Sequence, residues 1–455
     1  MRRVLIANRG EIAVRIARAC FDAGLESVVA VSAADRDGLA ALVADRAVTI
    51  GPAAATESYL SVDRIMAAAK AAGCDAIHPG YGFLSERAEL AEACEEEGIA
   101  FVGPPAAVMR RAGDKMSARA VAAEIGIPTG AGSGGLETLE LAVAAADSTG
   151  YPLMLKASAG GGGRGMAIVN EPGDLERRFH SARSEAQQAF GDGRVYLERY
   201  VSRARHVEVQ VLADTQGNAI HLGERDCSCQ RRYQKLVEEA PAAGLDPALA
   251  ERIRGAAVDL ARALSYVGAG TVEFLVDTER GDFTFLEVNA RVQVEHPVSE
   301  MVTGVDIVRE QLRIAAGEPL SIEQADVAIE GHAVECRINA EDPRNGFLPS
   351  PGTVTRWAPP NASRIRIDSH VQPGYVVSPY YDSLLAKVIA WGPDRRTALE
   401  LMHRGLERFR VEGVRTTVPL LADIVAAPAF VAEPVTTRWL ETEFLEEWER
   451  GPVDP

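Results

Sequence analysis

Short apolar runs alternate with helical periods over the first part of the chain. Val4–Ala7 has the length and composition of a strand, and Glu11–Ala23 follows it with Ile12, Ile16 and Cys20 near one helical face. Further strand-like runs are Ser27–Val31, Asp75–His78 and Ile99–Val102. This alternation predicts a parallel, doubly wound sheet with helices between its strands.

A dinucleotide-binding domain is the competing interpretation of this region, because it has the same alternation of strands and helices. Its fingerprint is G-x-G-x-x-G after the first strand. The corresponding segment here is Asn8-Arg9-Gly10-Glu11, which has one glycine. An NAD-binding domain therefore remains the minor alternative.

The pattern changes after Pro128. The segment Thr129–Gly135 is rich in glycine and predicts a flexible hinge, after which a compact α/β unit continues to about Val201. Strands and helices then mix to about residue 320. From Gly331 the pattern is mostly β, and it ends in predicted helices around 395–409 and 438–448. The chain is therefore expected to combine α/β and α+β architecture.

Composition narrows the class of protein. The chain has 455 residues, of which 47% are hydrophobic and 25% charged, as in ordinary globular proteins. We expect no membrane span and no secretory signal, because no apolar run approaches the required length. The six cysteines form no CxxC pair, which favours free thiols in a cytoplasmic protein. The net charge of −17 argues against nucleic acid as a partner.

Lysine is rare in this chain, which makes each lysine informative. Only five of the 48 lysine and arginine residues are lysines, and Lys115, Lys156 and Lys235 fall in the motifs discussed here. Lys156 ends a strand-like run and precedes the glycine-rich segment 160–165. Bare glycines allow backbone N–H groups to approach phosphate oxygens, so this segment predicts a phosphate-binding loop. It is not a Walker A loop, and a flexible linker is the alternative.

Polar and apolar residues alternate between Phe285 and Glu295. A strand through this segment would send all of its polar side chains to one face. These side chains are Glu287, Asn289, Arg291, Gln293 and Glu295. A solvent-facing strand is the alternative interpretation.

A hairpin explains why two carboxylates would meet on this strand. A three-residue loop at Glu279-Arg280-Gly281, with glycine in its left-handed position, would place Glu273 directly opposite Glu287. Facing carboxylates repel, and a hard cation such as Mg²⁺ between them would remove that cost. Glu273, Glu287 and Asn289 are therefore predicted to form a metal site.

The segment Glu224–Lys235 is a dense polar and basic cluster in an acidic protein. Strands are expected on both sides of it, at Ala219–Leu222 and Lys235–Glu238. We expect its basic groups to converge on an anion, with a solvated charged surface as the alternative.

Seven segments resemble motifs of the biotin carboxylase family, occur in the family's order and cover nearly the whole chain. They are Ala7–Arg15, His78–Glu86, Gly113–Lys115, the Lys156 glycine loop, Arg225–Lys235, Glu287–His296 and Glu335–Glu341. The resemblance implies an ATP-grasp fold. Expected domain bounds are 1–112 for an N-terminal doubly wound domain, 113–330 for an ATP-grasp domain with a mobile lid at about 130–203, and 331–445 for a mainly β C-terminal domain.

The resemblance also implies a role for each matched residue. ATP is expected to contact Lys115, Lys156, Gly162, Gly163, Glu198, Val201, His206, Gln230, Tyr233, Glu273 and Glu287. Bicarbonate is expected at Lys235, Arg291, Gln293, Val294 and Glu295, with Glu295 as general base. Biotin is expected at Tyr81 and Arg337, so that the expected catalytic residues are Lys235, Arg291, Glu295 and Arg337. Tyr233 stands where the family often has histidine.

The implied activity is carboxylation of biotin with ATP, Mg²⁺ (or Mn²⁺) and bicarbonate, through carboxyphosphate. The chain has no biotin-accepting Ala-Met-Lys-Met motif. We therefore expect a separate, homodimeric enzyme that works with a biotin carboxyl carrier protein and carboxyltransferase subunits of an acyl-CoA carboxylase such as acetyl-CoA carboxylase. Two alternatives are a carbamoyl-phosphate-synthase-like ATP-grasp ligase and a catalytically silent scaffold protein of a carboxylase complex.

Overall fold

The computed structural model describes residues 1–130, 135–158 and 166–451. Most of the glycine hinge and the whole glycine loop, including Gly162 and Gly163, lie outside these residues. Among the described helices, none has the length and apolar character that a bilayer crossing requires.

The N-terminal region forms a five-stranded parallel sheet in the order β3-β2-β1-β4-β5. Its elements are β1 (Arg3–Ile6), α1 (Gly10–Asp22), β2 (Glu26–Ser32), α2 (Leu39–Val43), β3 (Arg46–Gly51), α3 (Val62–Ala72), β4 (Ala76–His78), α4 (Ala88–Glu97), β5 (Ala100–Phe101) and α5 (Ala106–Gly113). Val4 and Ile6 pack with α1 on one face, whereas Leu5 and Ala7 pack with α3 and α4 on the other. The predicted doubly wound sheet is confirmed, and β1, β2, β4 and β5 lie within one residue of the predicted bounds, whereas β3 was not predicted.

A small α/β unit follows, with a three-stranded antiparallel sheet in the order β7-β6-β8. The elements from its entry helix onward are α6 (Lys115–Glu124), α7 (Leu139–Thr149), β6 (Leu153–Ala157), β7 (Met166–Val169), α8 (Leu175–Phe190) and β8 (Val195–Arg199). Leu153, Leu155 and Phe179 belong to a core of its own, which explains why the sequence pattern separated this unit.

The remaining chain is organised around one eight-stranded antiparallel sheet, in the order β13-β12-β9-β10-β11-β14-β21-β19. The elements before residue 330 are β9 (Ala204–Ala213), β10 (Ala219–Arg231), β11 (Gln234–Ala240), α9 (Pro247–Ala263), β12 (Gly268–Asp277), β13 (Asp282–Asn289), α10 (His296–Thr303) and α11 (Ile307–Ala315). Those after it are β14 (His332–Asn339), β15 (Glu341–Asp342), β16 (Leu348–Pro349), β17 (Gly352–Thr353), β18 (Arg356–Ala358), β19 (Ile365–Ser369), β20 (Val376–Val377), β21 (Leu384–Gly392), α12 (Arg395–Arg408), β22 (Arg410–Glu412), α13 (Val418–Ala426), α14 (Pro428–Ala432) and α15 (Leu445–Arg450).

Pairing of β11 with β14 carries this sheet across residue 330, where the sequence pattern had suggested a boundary. The predicted helix at 395–409 is α12, and the predicted helix at 438–448 is a π-helical turn, Leu440–Phe444, that leads into α15. The sequence pattern did not predict α13 and α14, whose apolar residues pack on α12 and β21 in one core.

Glu300 in α10 connects three parts of the molecule. Its carboxylate accepts hydrogen bonds from Arg15 of α1 at 2.9 Å and from Arg366 of β19 at 2.7 Å. Burial alone raises the pKa of Glu300, but the two guanidinium groups outweigh it and hold the pKa below its usual value. A carboxylate whose pKa is lowered by folding stabilises the folded protein at pH values above its unfolded-state pKa. This stabilisation is lost as the pH falls through the folded-state pKa.

We expect Glu300→Gln to lower the free energy of unfolding by about 1–3 kcal/mol at neutral pH, because the buried Arg15 and the partly buried Arg366 each lose one of their two carboxylate partners. The difference from wild type should shrink as the pH falls below the usual glutamate pKa of 4.5. Urea unfolding of both proteins at about pH 7 and about pH 4 measures this difference. An equal difference at both pH values would contradict the assignment.

Candidate active site

The β12–β13 hairpin places Glu273 directly opposite Glu287, as predicted. The loop of the hairpin differs from the prediction, because it has four residues, Thr278–Gly281, and the strands begin to pair at Asp277 and Asp282. A one-residue bulge next to Glu273 then restores the predicted pairing. Gly281 has the expected left-handed conformation, with φ of 63°.

The predicted strand through Glu295 is wrong in its second half, because β13 ends at Asn289 and Glu295 directly precedes α10. The chain turns over residues 291–295, and this turn still brings Gln293 and Glu295 to the same site as Glu273. Gln293 donates a hydrogen bond to Glu273 at 3.0 Å. Alternation of polar residues therefore predicted side chains that do lie together, although the backbone that carries them differs from the prediction.

Lys235 of β11 lies at the centre of the site. Its ammonium donates to Glu208 at 2.6 Å, to Glu273 at 3.1 Å and to Glu295 at 2.6 Å. Burial lowers the pKa of Lys235, but the surrounding acidic groups outweigh it and raise the pKa well above its usual value. The lysine is therefore a fixed positive charge at neutral pH.

Glu295 is fully buried and joins two cations. It accepts hydrogen bonds from Lys235 and, at 2.9 Å, from Arg337 of β14. Burial alone raises the pKa of Glu295, but Lys235 and Arg337 outweigh it and hold the pKa well below its usual value. An ionised carboxylate is therefore available between an ammonium and a guanidinium.

Arg337 also pairs with Glu238 of β11, so its guanidinium spans two carboxylates. Arg291 donates to Glu86 at 2.8 Å and to Asn289 at 3.1 Å, on the same side of the site. Val294 lies in the turn before α10, where its carbonyl oxygen accepts from Lys387 at 2.9 Å.

Tyr81 donates a hydrogen bond to Glu11 of α1. A cavity of about 290 Å³ opens beside these two side chains, and Phe83, Tyr380 and Tyr381 form part of its wall. The amphipathic aromatic groups give this cavity a surface that suits a flat, partly polar molecule.

The residues predicted to contact nucleotide lie in two places. Lys156 and Glu198 belong to the small α/β unit and pair with each other, Val201 follows β8, and Glu198 also pairs with Arg119 of α6. The others lie on or beside the antiparallel sheet, where Lys115 pairs with Glu287 at 2.8 Å. His206 contacts Glu273 at 2.9 Å, and Gln230 is buried opposite Lys235 in the β10–β11 pair.

The predicted anion-binding cluster at Glu224–Lys235 is not a segment between two strands, because most of it belongs to β10. Arg232 and Tyr233 form the β-turn, both with positive φ, and Tyr233 is 51% exposed. The guanidinium of Arg231 lies over the ring of Phe347, and Arg225 is buried against Glu208. Lys235 and Gln230 remain as members of the central site.

Sequence reasoning missed Glu208 and Glu86. Glu208 lies between His206 and Gln210 on β9, and this alternation of polar residues in an otherwise apolar strand was a usable signal. Glu86 lay inside a recognised motif but was assigned no role, because its contact with Arg291 joins segments about 200 positions apart.

The donor set suits a hard divalent cation beside the hairpin. Glu287 and Glu273 supply facing carboxylates, and Asn289 lies two positions after Glu287 on β13. Side-chain oxygens of this kind are the ligands that Mg²⁺ and Mn²⁺ prefer. In this structure the ammonium groups of Lys115 and Lys235 compensate the two carboxylates.

Three family models match successive parts of the chain. They are the biotin carboxylase N-terminal domain over residues 1–109, the carbamoyl-phosphate synthase L chain ATP-binding domain over 114–323, and the biotin carboxylase C-terminal domain over 335–442.

Several relatives and solved structures match this chain over nearly their whole lengths. Biotin carboxylase of Pseudomonas aeruginosa is 52% identical over 97% of this chain and 98% of that protein. Biotin carboxylase 1 of Bacillus subtilis is 49% identical over 97% of this chain and 98% of that protein. The biotin carboxylase domain dimer of the Hydrogenobacter thermophilus 2-oxoglutarate carboxylase, in complex with MgADP, ADP and bicarbonate, has a TM-score of 0.95 at 46% identity and covers 100% of this chain and 99% of that one.

Proposed function

The chain belongs to the biotin carboxylase family, and from this premise we propose that it uses ATP and bicarbonate to carboxylate biotin held on a carrier protein. The observation that carries the proposal is the continuous set of contacts Lys235–Glu295–Arg337, which places a buried carboxylate between two fixed cations. Such a group can take a proton from one substrate while the cations beside it hold anionic oxygens.

Glu295 is the proposed general base for bicarbonate. Its ionised carboxylate takes the proton of the bicarbonate hydroxyl, and the resulting oxygen attacks the γ-phosphorus of ATP with ADP as leaving group. Lys235 and Arg291 neutralise the charge of the bicarbonate oxygens, and Gln293 with the backbone of Val294 fixes their orientation. Positioning and charge neutralisation supply most of the catalysis that phosphoryl transfer requires.

ATP is proposed to lie between the small α/β unit and the β12–β13 hairpin. Lys115, Lys156, Glu198, Val201, His206 and Gln230 are its proposed contacts, and Gly162 and Gly163 remain predicted contacts to its phosphates. Glu273, Glu287 and Asn289 would hold Mg²⁺ or Mn²⁺, which when bound neutralises phosphate charge.

The second step transfers the carboxyl group to biotin. Carboxyphosphate breaks down to CO₂ and phosphate, the phosphate takes the proton from the ureido N1, and N1 then attacks CO₂. Arg337 stabilises the negative charge on the ureido oxygen, and Tyr81 contacts the ring. A guanidinium suits this role because its planar donors engage an oxyanion while still contacting a carboxylate.

We propose a homodimeric cytoplasmic enzyme that docks a biotin carboxyl carrier protein and serves the carboxyltransferase subunits of an acyl-CoA carboxylase. The described part of the chain holds six buried cysteines without disulfides, which supports a reducing compartment.

The deciding experiment measures ATP hydrolysis with and without bicarbonate and free biotin, followed by transfer of labelled bicarbonate to purified carrier protein. We expect bicarbonate-dependent hydrolysis that biotin stimulates, and label on the carrier. Hydrolysis without label transfer would instead support a different ATP-grasp ligase. Folded protein without either activity would support a scaffold role.

The metal assignment makes a separate prediction. Glu287→Gln should raise the Mg²⁺ concentration for half-maximal ATP hydrolysis at least about tenfold, because one of two anionic ligands is lost. A Mg²⁺ titration of the initial rate measures this change. Glu279→Gln, in the exposed turn of the same hairpin, is the matched control and should titrate like wild type. Equal titrations of all three proteins would remove Glu287 from the metal site.

A further inference from the structure

Two glutamates face each other in the sheet directly behind Arg337. Glu238 of β11 pairs with Glu335 of β14, and Arg337 lies two positions further along β14, opposite Lys387 of β21. Both glutamates are fully buried. The other charged groups that face them are Arg337, Lys387, Lys235 and Glu295.

The hydrogen bonds around this pair are incomplete. Arg337 donates to Oε1 of Glu238, whereas Oε2 of Glu238 and both carboxyl oxygens of Glu335 have no hydrogen-bond partner among the described residues. Lys387 does not supply the missing donor, because its ammonium contacts the carbonyl of Val294 at 2.9 Å and Glu11 at 3.1 Å.

Two facing negative charges in this position would be very costly, because of the two only Glu238 has a cation in contact with it among the described residues. An isolated buried carboxylate takes up a proton rather than remain charged without partners. Burial, followed by the nearby Glu238, raises the pKa of Glu335 well above its usual value, although Lys387 opposes the shift. Burial raises the pKa of Glu238 to about 7 against the effect of Arg337. Since Glu238 has the guanidinium as partner, the first proton belongs on Glu335.

We propose that Glu335 is a neutral carboxylic acid in the working enzyme and that its O–H group donates to Oε2 of Glu238. This contact would satisfy the oxygen of Glu238 that lacks a donor and would fix the carboxylate that orients Arg337. Glu335 is thus a positioning residue for the biotin step, and the inference rests on the proposed function.

A neutral Glu335 affects the charge balance around Arg337. Arg337 already contacts Glu238 and Glu295. A third carboxylate in its surroundings would weaken the attraction of the guanidinium for a developing oxyanion. A neutral donor instead holds Glu238 in place and leaves the positive charge of Arg337 available to the ureido oxygen.

The proton itself can be observed without any activity. The infrared spectrum of the full-length protein at neutral pH should contain the C=O stretch of a protonated carboxyl group, and Glu335→Gln should remove it. Glu239→Gln is the matched control, because Glu239 is the next residue of β11 and burial there is outweighed by His332 and Arg395, which lower its pKa to about 2. A spectrum in which Glu335→Gln removes no such band overturns the proposal, whether or not biotin is a substrate.

Kinetics test the positioning role. Glu335→Gln keeps a neutral N–H donor, so its KM for free biotin should stay within about threefold of wild type. Glu335→Leu has no donor, and its KM for biotin should rise at least about tenfold while bicarbonate-dependent ATP hydrolysis is retained. If Gln and Leu raise the KM equally, Glu335 is not a hydrogen-bond donor to Glu238 and the proposal fails.

Discussion

Replacing Glu295 by glutamine is expected to lower bicarbonate-dependent ATP hydrolysis by about 10²–10⁴-fold, the usual contribution of a general base. The amide keeps the size of the side chain but cannot accept the bicarbonate proton. Because Lys235 and Arg337 hold the pKa of Glu295 well below the usual 4.5 against the effect of burial, the base is ionised at every pH near neutrality. The loss should therefore be independent of pH between about 6 and 8.

A second carboxylate on the same lysine provides the control for this substitution. Glu208 contacts Lys235 at 2.6 Å and is fully buried, and its other oxygen is held by Arg225. Glu208→Gln changes the charge around Lys235 without removing the proposed base, so its initial rate should exceed that of Glu295→Gln at least about tenfold. Equal rates would mean that Glu295 acts only by balancing the charge of Lys235.

Hairpin geometry, together with the alternation of side-chain direction in a strand, correctly predicted that Glu273 and Glu287 face each other. Glu273 and Glu287 lie opposite each other although the loop is one residue longer than predicted, because the bulge in the hairpin compensates. The same argument failed beyond Asn289. Alternation of polar residues does not distinguish a strand from a turn, and the start of α10 determines where the chain goes.

Contacts between distant segments could not be predicted from pattern. Glu86, Glu208 and Lys387 complete the surroundings of Arg291, Lys235 and Val294, and each comes from a different part of the chain. The Glu86–Arg291 contact depends on how the N-terminal region packs on the rest of the molecule, whereas the other two contacts depend on the strand order of the antiparallel sheet and on the turn before α10. The pattern of neighbouring residues does not predict contacts between segments that are distant in sequence. The alternation of strand-like and helical segments does predict the fold class and the doubly wound N-terminal sheet.

Replacing Arg337 by lysine is expected to separate the two steps of the reaction. Arg337 contacts Glu238 through Nε and Glu295 through Nη2, and a compact ammonium lacks this planar set of separated donors, so it would not hold both carboxylates in the same geometry while presenting a donor to the ureido oxygen. Carboxylation of free biotin should fall by about 10²–10³-fold, as when an oxyanion donor is removed, while bicarbonate-dependent ATP hydrolysis should stay within about tenfold of wild type. Parallel assays of labelled carboxybiotin and released phosphate measure both rates.

Arg395→Lys controls for the general cost of this exchange, because Arg395 also uses Nε and Nη2 to hold a buried glutamate of β11, donating to both oxygens of Glu239, the residue next to Glu238. It should lower the free energy of unfolding and leave the ratio of carboxybiotin to phosphate unchanged. The decisive quantity for Arg337→Lys is that same ratio. If the ratio stays at the wild-type value while both rates fall together, Arg337 acts on bicarbonate through Glu295, and stabilisation of the biotin oxyanion must come from another group.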